Sequence, residues 1–259
     1  MLNNKGICIT LLANEGILIH YNNTSILIDG IHVNEGGPFS GLSDQMLSDL
    51  INGKNIFKNI DFVLFTHCHQ DHFNADYTKQ FLMNNHVKGL IMPDTQTQKY
   101  SSLRQTGLVQ ADHMILLDIP LALKKQFQLT DDISLTVFNS VHCGEQYADI
   151  ENFCYLINFC GLQVFIIGDG DFRTEYFKKM LNDAEIDIAF VNPLFINNKK
   201  GLEVINYAIN PKYLVVYHIP FKNDDKIKLR KLVSHDIIKH NDYIPPITVL
   251  WDELQEIVF

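Results

Sequence analysis

The sequence predicts an α/β protein in which two β-sheets pack face to face with helices on the outside. Apolar segments of strand length precede helical segments in both halves of the chain, and each half opens with strands that suit antiparallel pairing. Several strands end directly at polar residues, which is where open α/β architectures place their chemistry. Because no shift in composition marks a boundary, we expect one domain covering residues 1–259.

Hydrophobic periodicity and turn residues locate the individual elements. Asn22 and Asn23 suit a hairpin turn in an opening three-stranded meander, and Ser43 is the predicted N-cap of the first helix. The predicted strands are at 7–12, 17–21, 25–28, 61–65, 89–92, 114–117, 127–129, 133–138, 153–159, 163–167, 187–191, 213–217, 248–251 and 256–259. The predicted helices are at 43–52, 73–84, 94–105, 175–181, 202–209 and 224–233.

The composition indicates which classes of partner and which cellular compartment to expect. A formal net charge of −9 argues against tight binding to nucleic acid or to an anionic membrane surface, since both need a basic face. The five cysteines are scattered without a C-x-x-C pair, which is typical of reduced thiols in the cytoplasm. With no signal-peptide pattern or membrane-spanning run, we expect a cytoplasmic protein that acts on a small-molecule substrate, anionic or neutral. Homo-oligomerisation stays open.

One stretch of the chain concentrates residue types that bind transition metals. His67, His69, Asp71 and His72 lie between a predicted buried strand and a predicted amphipathic helix. Imidazole nitrogen and carboxylate oxygen suit Zn and its first-row neighbours. In an extended loop His67, His69 and Asp71 point to the same side, while His72 can turn to the other as the helix begins. One strand end can therefore serve two adjacent metals.

Three later residues, His142, Asp169 and His218, each lie just past an apolar strand. Taken singly, a histidine at a strand end is usually a hydrogen-bonded structural residue, and a Gly-Asp-Gly segment is usually a turn. Their joint occurrence after the first cluster favours a role as metal ligands.

In these residues the chain resembles the metallo-β-lactamase superfamily. The run from His67 to His72 matches the family's His-x-His-x-Asp-His signature, and His142, Asp169 and His218 fall in the order of its remaining ligands. The resemblance implies an α/β fold, a four-layer αβ/βα sandwich of the metallo-β-lactamase type with its site at the rim between two sheets. It also implies two sets of ligands: His67, His69 and His142 for a first metal, Asp71, His72 and His218 for a second, and Asp169 as the bridge.

The implied cofactor is a pair of divalent metal ions, with zinc expected and manganese or iron left open. Two cations about 3.5–4 Å apart can share a hydroxide at neutral pH, because each lowers the pKa of the bound water. The resemblance therefore implies hydrolysis of a small ester, lactone or phosphoester. Asp71 is the implied catalytic residue, which would orient the nucleophile or accept its proton. Within the family, the compact chain most resembles the branch that contains ascorbate-6-phosphate lactonase.

Two motif residues indicate which activities of the family this chain is expected to lack. Asp169 stands where well-known β-lactamase subclasses typically carry Cys, which disfavours antibiotic hydrolysis, and His69 stands where oxygen-reducing di-iron relatives carry Glu, which favours hydrolysis. Two alternatives remain: a di-iron redox protein on the same fold, and a catalytically inactive sensor or scaffold. Glu15, in a predicted hairpin turn, is expected to face solvent. Asp171 could alter the surroundings of the metals if its side chain points inward.

Overall fold

The computed structural model describes residues 6–94, 113–182 and 184–259. The chain divides into two compact units: one runs up to Asp118 and includes Asp252–Phe259, and the other is Ile119–Trp251. Within the described residues each unit contains one seven-stranded sheet with helices packed on it, which confirms the predicted α/β class. The expectation of a single domain stays a prediction. No helix in these described ranges combines the length and apolar character that crossing a membrane requires.

The first unit is built on a sheet that is antiparallel at one side and parallel at the other. Its elements are β1 (Ile7–Leu11), β2 (Ile17–Tyr21), β3 (Thr24–Ile28), α1 (Asp44–Ile51), a 3₁₀ turn (Asn55–Phe57), β4 (Phe62–Leu64), α2 (Ala75–Asn84), β5 (Gly89–Pro93), β6 (Met114–Leu117) and β14 (Glu256–Val258). The strand order is β14-β1-β2-β3-β4-β5-β6. Pairing is antiparallel from β14 to β3 and parallel from β3 to β6.

Local sequence signals explain most of these boundaries. The predicted meander is confirmed, and Asn22 takes the positive φ, 51°, that its turn requires. Ser43 caps α1 as predicted, with its Oγ accepting the amide of Met46 at 3.4 Å. Helix α2 begins two residues later than expected because Asn74 serves as its cap. The predicted helix at 94–105 lies outside the described residues, apart from its first position.

The second unit repeats this division of one sheet into antiparallel and parallel parts. Its elements are β7 (Lys124–Thr130), β8 (Ile133–Val141), a 3₁₀ turn (Glu145–Tyr147), β9 (Glu151–Phe159), β10 (Leu162–Ile166), α3 (Thr174–Leu181), β11 (Ile188–Val191), α4 (Leu194–Asn197), α5 (Lys199–Val204), a π-helical turn (Ile205–Ile209), β12 (Tyr213–Val216), α6 (Leu229–His240) and β13 (Ile247–Val249). The strand order is β13-β12-β11-β10-β9-β8-β7. Pairing is antiparallel from β7 to β10 and parallel from β10 to β13.

The last helix departs from its prediction. The sequence pattern placed it at 224–233, whereas α6 begins at Leu229 and continues to His240. The carboxylate of Asp225 accepts the amides of Leu229 at 2.7 Å and Arg230 at 3.0 Å, so it caps the helix from outside. Lys228, with a φ of 58°, breaks the helical backbone just before that start. The prediction was wrong because it counted the capping segment as helix.

Each sheet buries an apolar face under its helices. In the first unit, Leu50 of α1 and Phe81 of α2 pack with Val63 and Leu90 of the sheet. In the second, α3, α4 and α5 cover a core that is rich in aromatic rings. Phe165 lies in that core with no exposed surface, and the ring of Phe138 stacks on it at a centroid distance of 6.0 Å. These cores hold the strands β4, β8, β10 and β12, whose carboxyl ends precede the candidate site residues.

Candidate functional site

A tight turn after β4 carries the histidine cluster of the first unit. The amides of His72 and Phe73 both donate to the carbonyl oxygen of His69, at 3.1 and 2.9 Å, which folds the loop back on itself. As a result the Nε2 atom of His67 lies 3.1 Å from the Nδ1 atom of His69. The rings of His67 and His72 lie 3.8 Å apart at their centroids. The predicted grouping of the three histidines in one turn is therefore present.

A buried carboxylate, Asp29, orients two of these imidazoles. It follows β3, the parallel neighbour of β4, and accepts hydrogen bonds from the amide of Thr66 at 2.8 Å and from its hydroxyl at 2.6 Å. The Nδ1 atom of His72 lies 3.1 Å from Asp29 Oδ2, and the Nδ1 atom of His67 lies 3.0 Å from Thr66 Oγ1. These partners favour a proton on each Nδ1, which leaves each Nε2 lone pair available for a metal.

Asp29 itself has two unusual properties. Burial, opposed by its contacts with His72, raises the pKa of its carboxyl group. Its backbone lies in the left-handed region, at φ 49°, which side chains other than glycine seldom adopt. Sequence reasoning missed Asp29 as a site residue, although its position directly after a strand matched the pattern used for the other candidates.

The prediction that Glu15 faces solvent was wrong. Instead of facing solvent it has no exposed surface, and its Oε2 atom lies 2.9 Å from the Nε2 atom of His72. The turn between β1 and β2 is buried because loop 31–42 lies against it, with the amide of Asn14 donating to the carbonyl of Ser40 at 3.1 Å. Nothing within the turn itself signals that contact.

The charges around His72 set its protonation. Burial lowers the pKa of its imidazole, but the negative charges of Glu15 and Asp71 and the hydrogen bond to Asp29 outweigh burial and raise the pKa well above its usual value. Asp71 lies half-buried in the same turn. Its role as a metal ligand and catalytic residue stays a prediction.

In the second unit, one carboxylate faces two histidines. Asp169 follows β10, His142 follows β8 and His218 follows β12, as the sequence predicted. The Oδ2 atom of Asp169 lies 3.3 Å from His142 Nε2, and its Oδ1 atom lies 3.7 Å from His218 Nε2. His142 Nδ1 donates to the carbonyl of Cys143 at 2.7 Å, so its Nε2 carries the lone pair. His218, like Asp29, has a left-handed backbone, with φ 59°.

Two asparagines hold Asp169 in this orientation. The side-chain amide of Asn192, just past β11, donates to Asp169 Oδ1 at 2.9 Å. The side-chain oxygen of Asn152 accepts the Asp169 amide at 2.9 Å, and its own amide group donates to the carbonyl of Ile167 at 2.8 Å. The sequence offered a signal for Asn192, which directly follows a strand, but asparagine was not weighed as a site residue.

Other polar groups nearby have defined partners. Asp171 Oδ2 accepts a hydrogen bond from Arg173 Nε at 2.6 Å, so this carboxylate is held by a guanidinium group. The ring of Tyr147 stands edge-on to the ring of His142, with 5.0 Å between centroids. Burial, reinforced by the charge of Asp169, raises the pKa of the Cys143 thiol to about 11 and keeps it protonated at neutral pH.

The spacing of the donor atoms fits divalent cations. Two ligand bonds of ~2.1 Å place their donor atoms ~3.0 Å apart at a right angle and ~3.4 Å apart at the tetrahedral angle. The pairs His67–His69, Glu15–His72 and His142–Asp169 have donor separations of 3.1, 2.9 and 3.3 Å. Residues that each offer a ligand atom are, in the first unit, His67, His69, His72 and Glu15, and in the second, His142, Asp169 and His218. These nitrogen and carboxylate donors could hold a metal of the Zn, Mn or Fe type.

Comparison with known proteins gives a likeness of structure. No protein-family model matches the chain, and no curated protein matches its sequence. Igni18, a metallo hydrolase from Ignicoccus hospitalis, is similar with a TM-score of 0.64 at 14% identity, over 98% of each chain. The metallo-β-lactamase fold protein YhfI from Bacillus subtilis is similar with a TM-score of 0.63 at 13% identity, over 99% of this chain and 100% of YhfI. The chain has the metallo-β-lactamase fold.

The metallo-β-lactamase fold also includes proteins with oxidative chemistry. CmlA, a diiron β-hydroxylase from Streptomyces venezuelae, has a TM-score of 0.64 at 14% identity. The match covers 98% of this chain but 54% of CmlA, so the chain spans about half of that protein's length. The TM-scores show a shared fold, which confirms the predicted metallo-β-lactamase type of fold. The chemistry must be argued from the residues of this chain.

Proposed function

We propose that this protein is a dinuclear metal-dependent hydrolase that cleaves a small ester, lactone or phosphoester. The proposed ligands are His67, His69 and His142 for one metal, Asp71, His72 and His218 for the other, and Asp169 as the bridge. Zinc is the expected metal, with manganese and iron as alternatives. The protein is proposed to be cytoplasmic, with a small-molecule substrate, neutral or anionic, and with no nucleic-acid or membrane partner.

The orientation of Asp169 is the observation that carries this proposal. Its two oxygens face two different imidazole nitrogens, Oδ2 toward His142 and Oδ1 toward His218. A carboxylate that served a single ion in a chelating mode would direct both oxygens to one point. An arrangement with one oxygen for each histidine suits a ligand shared by two cations. Asn192 donates to Oδ1 and thereby fixes which oxygen faces which histidine.

When bound, a pair of divalent cations would lower the pKa of a coordinated water and polarise the carbonyl or phosphoryl group of the substrate. The residues of the chain prepare this chemistry. Asp29 and Thr66 hold His67 and His72 with their Nε2 lone pairs available, so the ligands need not reorganise when metal arrives. Asp71, half-buried in the same turn as His72, is the residue proposed to accept a proton from the nucleophile or to orient it.

Two variants of the metal-loaded protein test this proposal. His69→Ala removes a ligand of the first metal, and Asp71→Ala removes the proposed proton acceptor. Each is expected to lower turnover of the best substrate from an ester, lactone and phosphodiester panel by several orders of magnitude, with little change in fold. Glu175→Gln, which alters a carboxylate whose side chain is 86% exposed, is a control that should retain wild-type turnover. Near-wild-type turnover of either alanine variant would contradict the assigned roles.

A second candidate function, di-iron redox chemistry, is favoured by the structural likeness to CmlA. It predicts two iron atoms per chain in the protein as isolated, together with an optical spectrum of an iron centre and consumption of oxygen. The hydrolase proposal predicts turnover of the panel with zinc or manganese and no oxygen uptake. Metal analysis and an oxygen-electrode measurement on the same preparation separate the two.

A further inference from the structure

We propose that Glu15 is a direct metal ligand that binds the same cation as His72. This inference rests on the proposed metal centre and adds a residue that lies outside the superfamily's seven-ligand motif. The carboxylate comes from the turn between β1 and β2, more than fifty residues before the histidine cluster in the chain.

Close packing of two backbone segments fixes the position of the turn that carries Glu15. Gly16 and Gly30 allow two segments of backbone to approach closely, because a Cβ atom on Gly16 would lie only 2.8 Å from the Cα atom of Gly30. That approach sets Glu15 beside the segment that carries Asp29. The two carboxylates therefore contact the two nitrogens of one imidazole ring. Asp29 contacts Nδ1 of His72, and Glu15 contacts Nε2.

The Nε2 atom of His72 is the ring nitrogen that faces Glu15. Because Nδ1 of His72 faces Asp29 at 3.1 Å, it is the nitrogen that carries the proton in the neutral ring. The Nε2 atom faces a carboxylate oxygen of Glu15 at 2.9 Å, with both residues entirely buried. A proton can occupy this contact in the metal-free protein, and a cation bound by both atoms would take the place of that proton. A divalent cation bound by both atoms satisfies the pair, and 2.9 Å matches the ~3.0 Å between donors at right angles on a metal with ~2.1 Å bonds.

Burying the carboxylate of Glu15 away from water costs free energy. A carboxylate without solvent is retained in proteins when it is paired or binds a metal. Asp71 and Asp29 also lie near His72, so the carboxylate of Glu15 adds a third acidic group to the surroundings of this ring. A dication bound by Glu15 and His72 would be attracted by all three carboxylates. The added hard oxygen ligand would favour manganese or iron at this position more than tetrahedral zinc.

A titration with Mn²⁺ tests the proposal through affinity and stoichiometry rather than through activity. Metal-free wild-type protein, Glu15→Gln and the control Glu35→Gln would be titrated while the electron paramagnetic resonance signal of free Mn²⁺ is followed. Glu35 is an exposed carboxylate of the same unit, so its variant loses the same charge. We expect Glu15→Gln to weaken binding of one of two ions by tenfold or more, as loss of a ligand does, and Glu35→Gln to match wild type.

The outcomes are separable. Wild-type affinity for both ions in Glu15→Gln would overturn the role of Glu15 and leave the hydrolase proposal intact, whereas a wild-type protein that binds no divalent metal would overturn both. A second measurement needs no variant and so does not depend on its folding. In a crystal structure of the metal-loaded wild-type protein, a Glu15 oxygen should lie ~2.0–2.2 Å from the ion on His72. A metal on His72 with the Glu15 carboxylate beyond ~3 Å would refute the inference.

Discussion

Replacing Asp29 by asparagine is the sharpest test of how the first unit presents its histidines. The substitution preserves shape but exchanges one oxygen of the carboxylate for an amide group that can only donate. Asp29 accepts three contacts, two from Thr66 and one from His72 Nδ1. The single oxygen of asparagine can accept the hydrogen bonds made by only one of the two carboxylate oxygens. At least one donor of Thr66 or His72 would then face the amide group, which is itself a donor.

The expected magnitude follows from those contacts. A hydrogen bond to a charged group contributes about 1.5–3 kcal/mol, so losing one should lower the free energy of unfolding of the metal-free protein by about that amount. Because the imidazole of His72 loses its orienting partner, zinc affinity should also fall by about 10–100-fold. The first quantity would be measured by urea denaturation followed by circular dichroism. The second would be measured by competition with a chromophoric chelator.

A matched control comes from the opposite end of the neighbouring strand β4. Asp61 precedes β4, accepts the amide of Ser25 at 2.9 Å and pairs with Lys88 at 2.8 Å. Asp61→Asn should cost about 1 kcal/mol of stability, since Lys88 is exposed, and should leave zinc affinity unchanged. If Asp29→Asn bound zinc as tightly as Asp61→Asn does, the orienting role of Asp29 would be refuted.

Three further predictions follow from contacts in the second unit. Asn192→Ala removes the donor on Asp169 Oδ1 and should weaken metal binding about tenfold in the same chelator competition, whereas wild-type affinity would show that Asp169 needs no such support. Cys160 is exposed, while burial raises the pKa of Cys154 to about 12, so an alkylating reagent at pH 8 should label Cys160 within minutes and Cys154 only after unfolding, as peptide mass spectrometry would show. Phe165→Ala should lower the free energy of unfolding by about 3–5 kcal/mol in urea, and a loss below about 1 kcal/mol would contradict its place in the core.

The strand-end pattern led to the candidate site residues because it depends on local order and on one general property of sheets. Carboxyl ends of neighbouring parallel strands meet at one edge, so residues such as Asp169 and His218 could be predicted from their positions after β10 and β12. Ser43 could be identified as a helix cap for a similar reason, since capping depends on residues within one turn.

The missed features depend on contacts between distant segments. Glu15 reads as a solvent-facing hairpin residue because nothing in its turn reveals the contact of Asn14 with Ser40 or the close approach of Gly16 to Gly30. The start of α6 was predicted too early for a different reason. The capping carboxylate of Asp225 lies four residues before Leu229, and the charged segment between them resembles a helix in its composition.

The left-handed backbone at Asp29 and His218 has a consequence for reading related sequences. For L-amino acids that conformation costs roughly 1–2 kcal/mol per residue relative to the right-handed one, although Asp and His are, with Asn, the residues other than glycine that adopt it most often. Glycine adopts it without a steric penalty. A glycine at either position in a homologue would therefore keep the local backbone while removing the ionisable side chain, so these two alignment columns separate homologues that retain both groups from homologues that retain only the backbone shape.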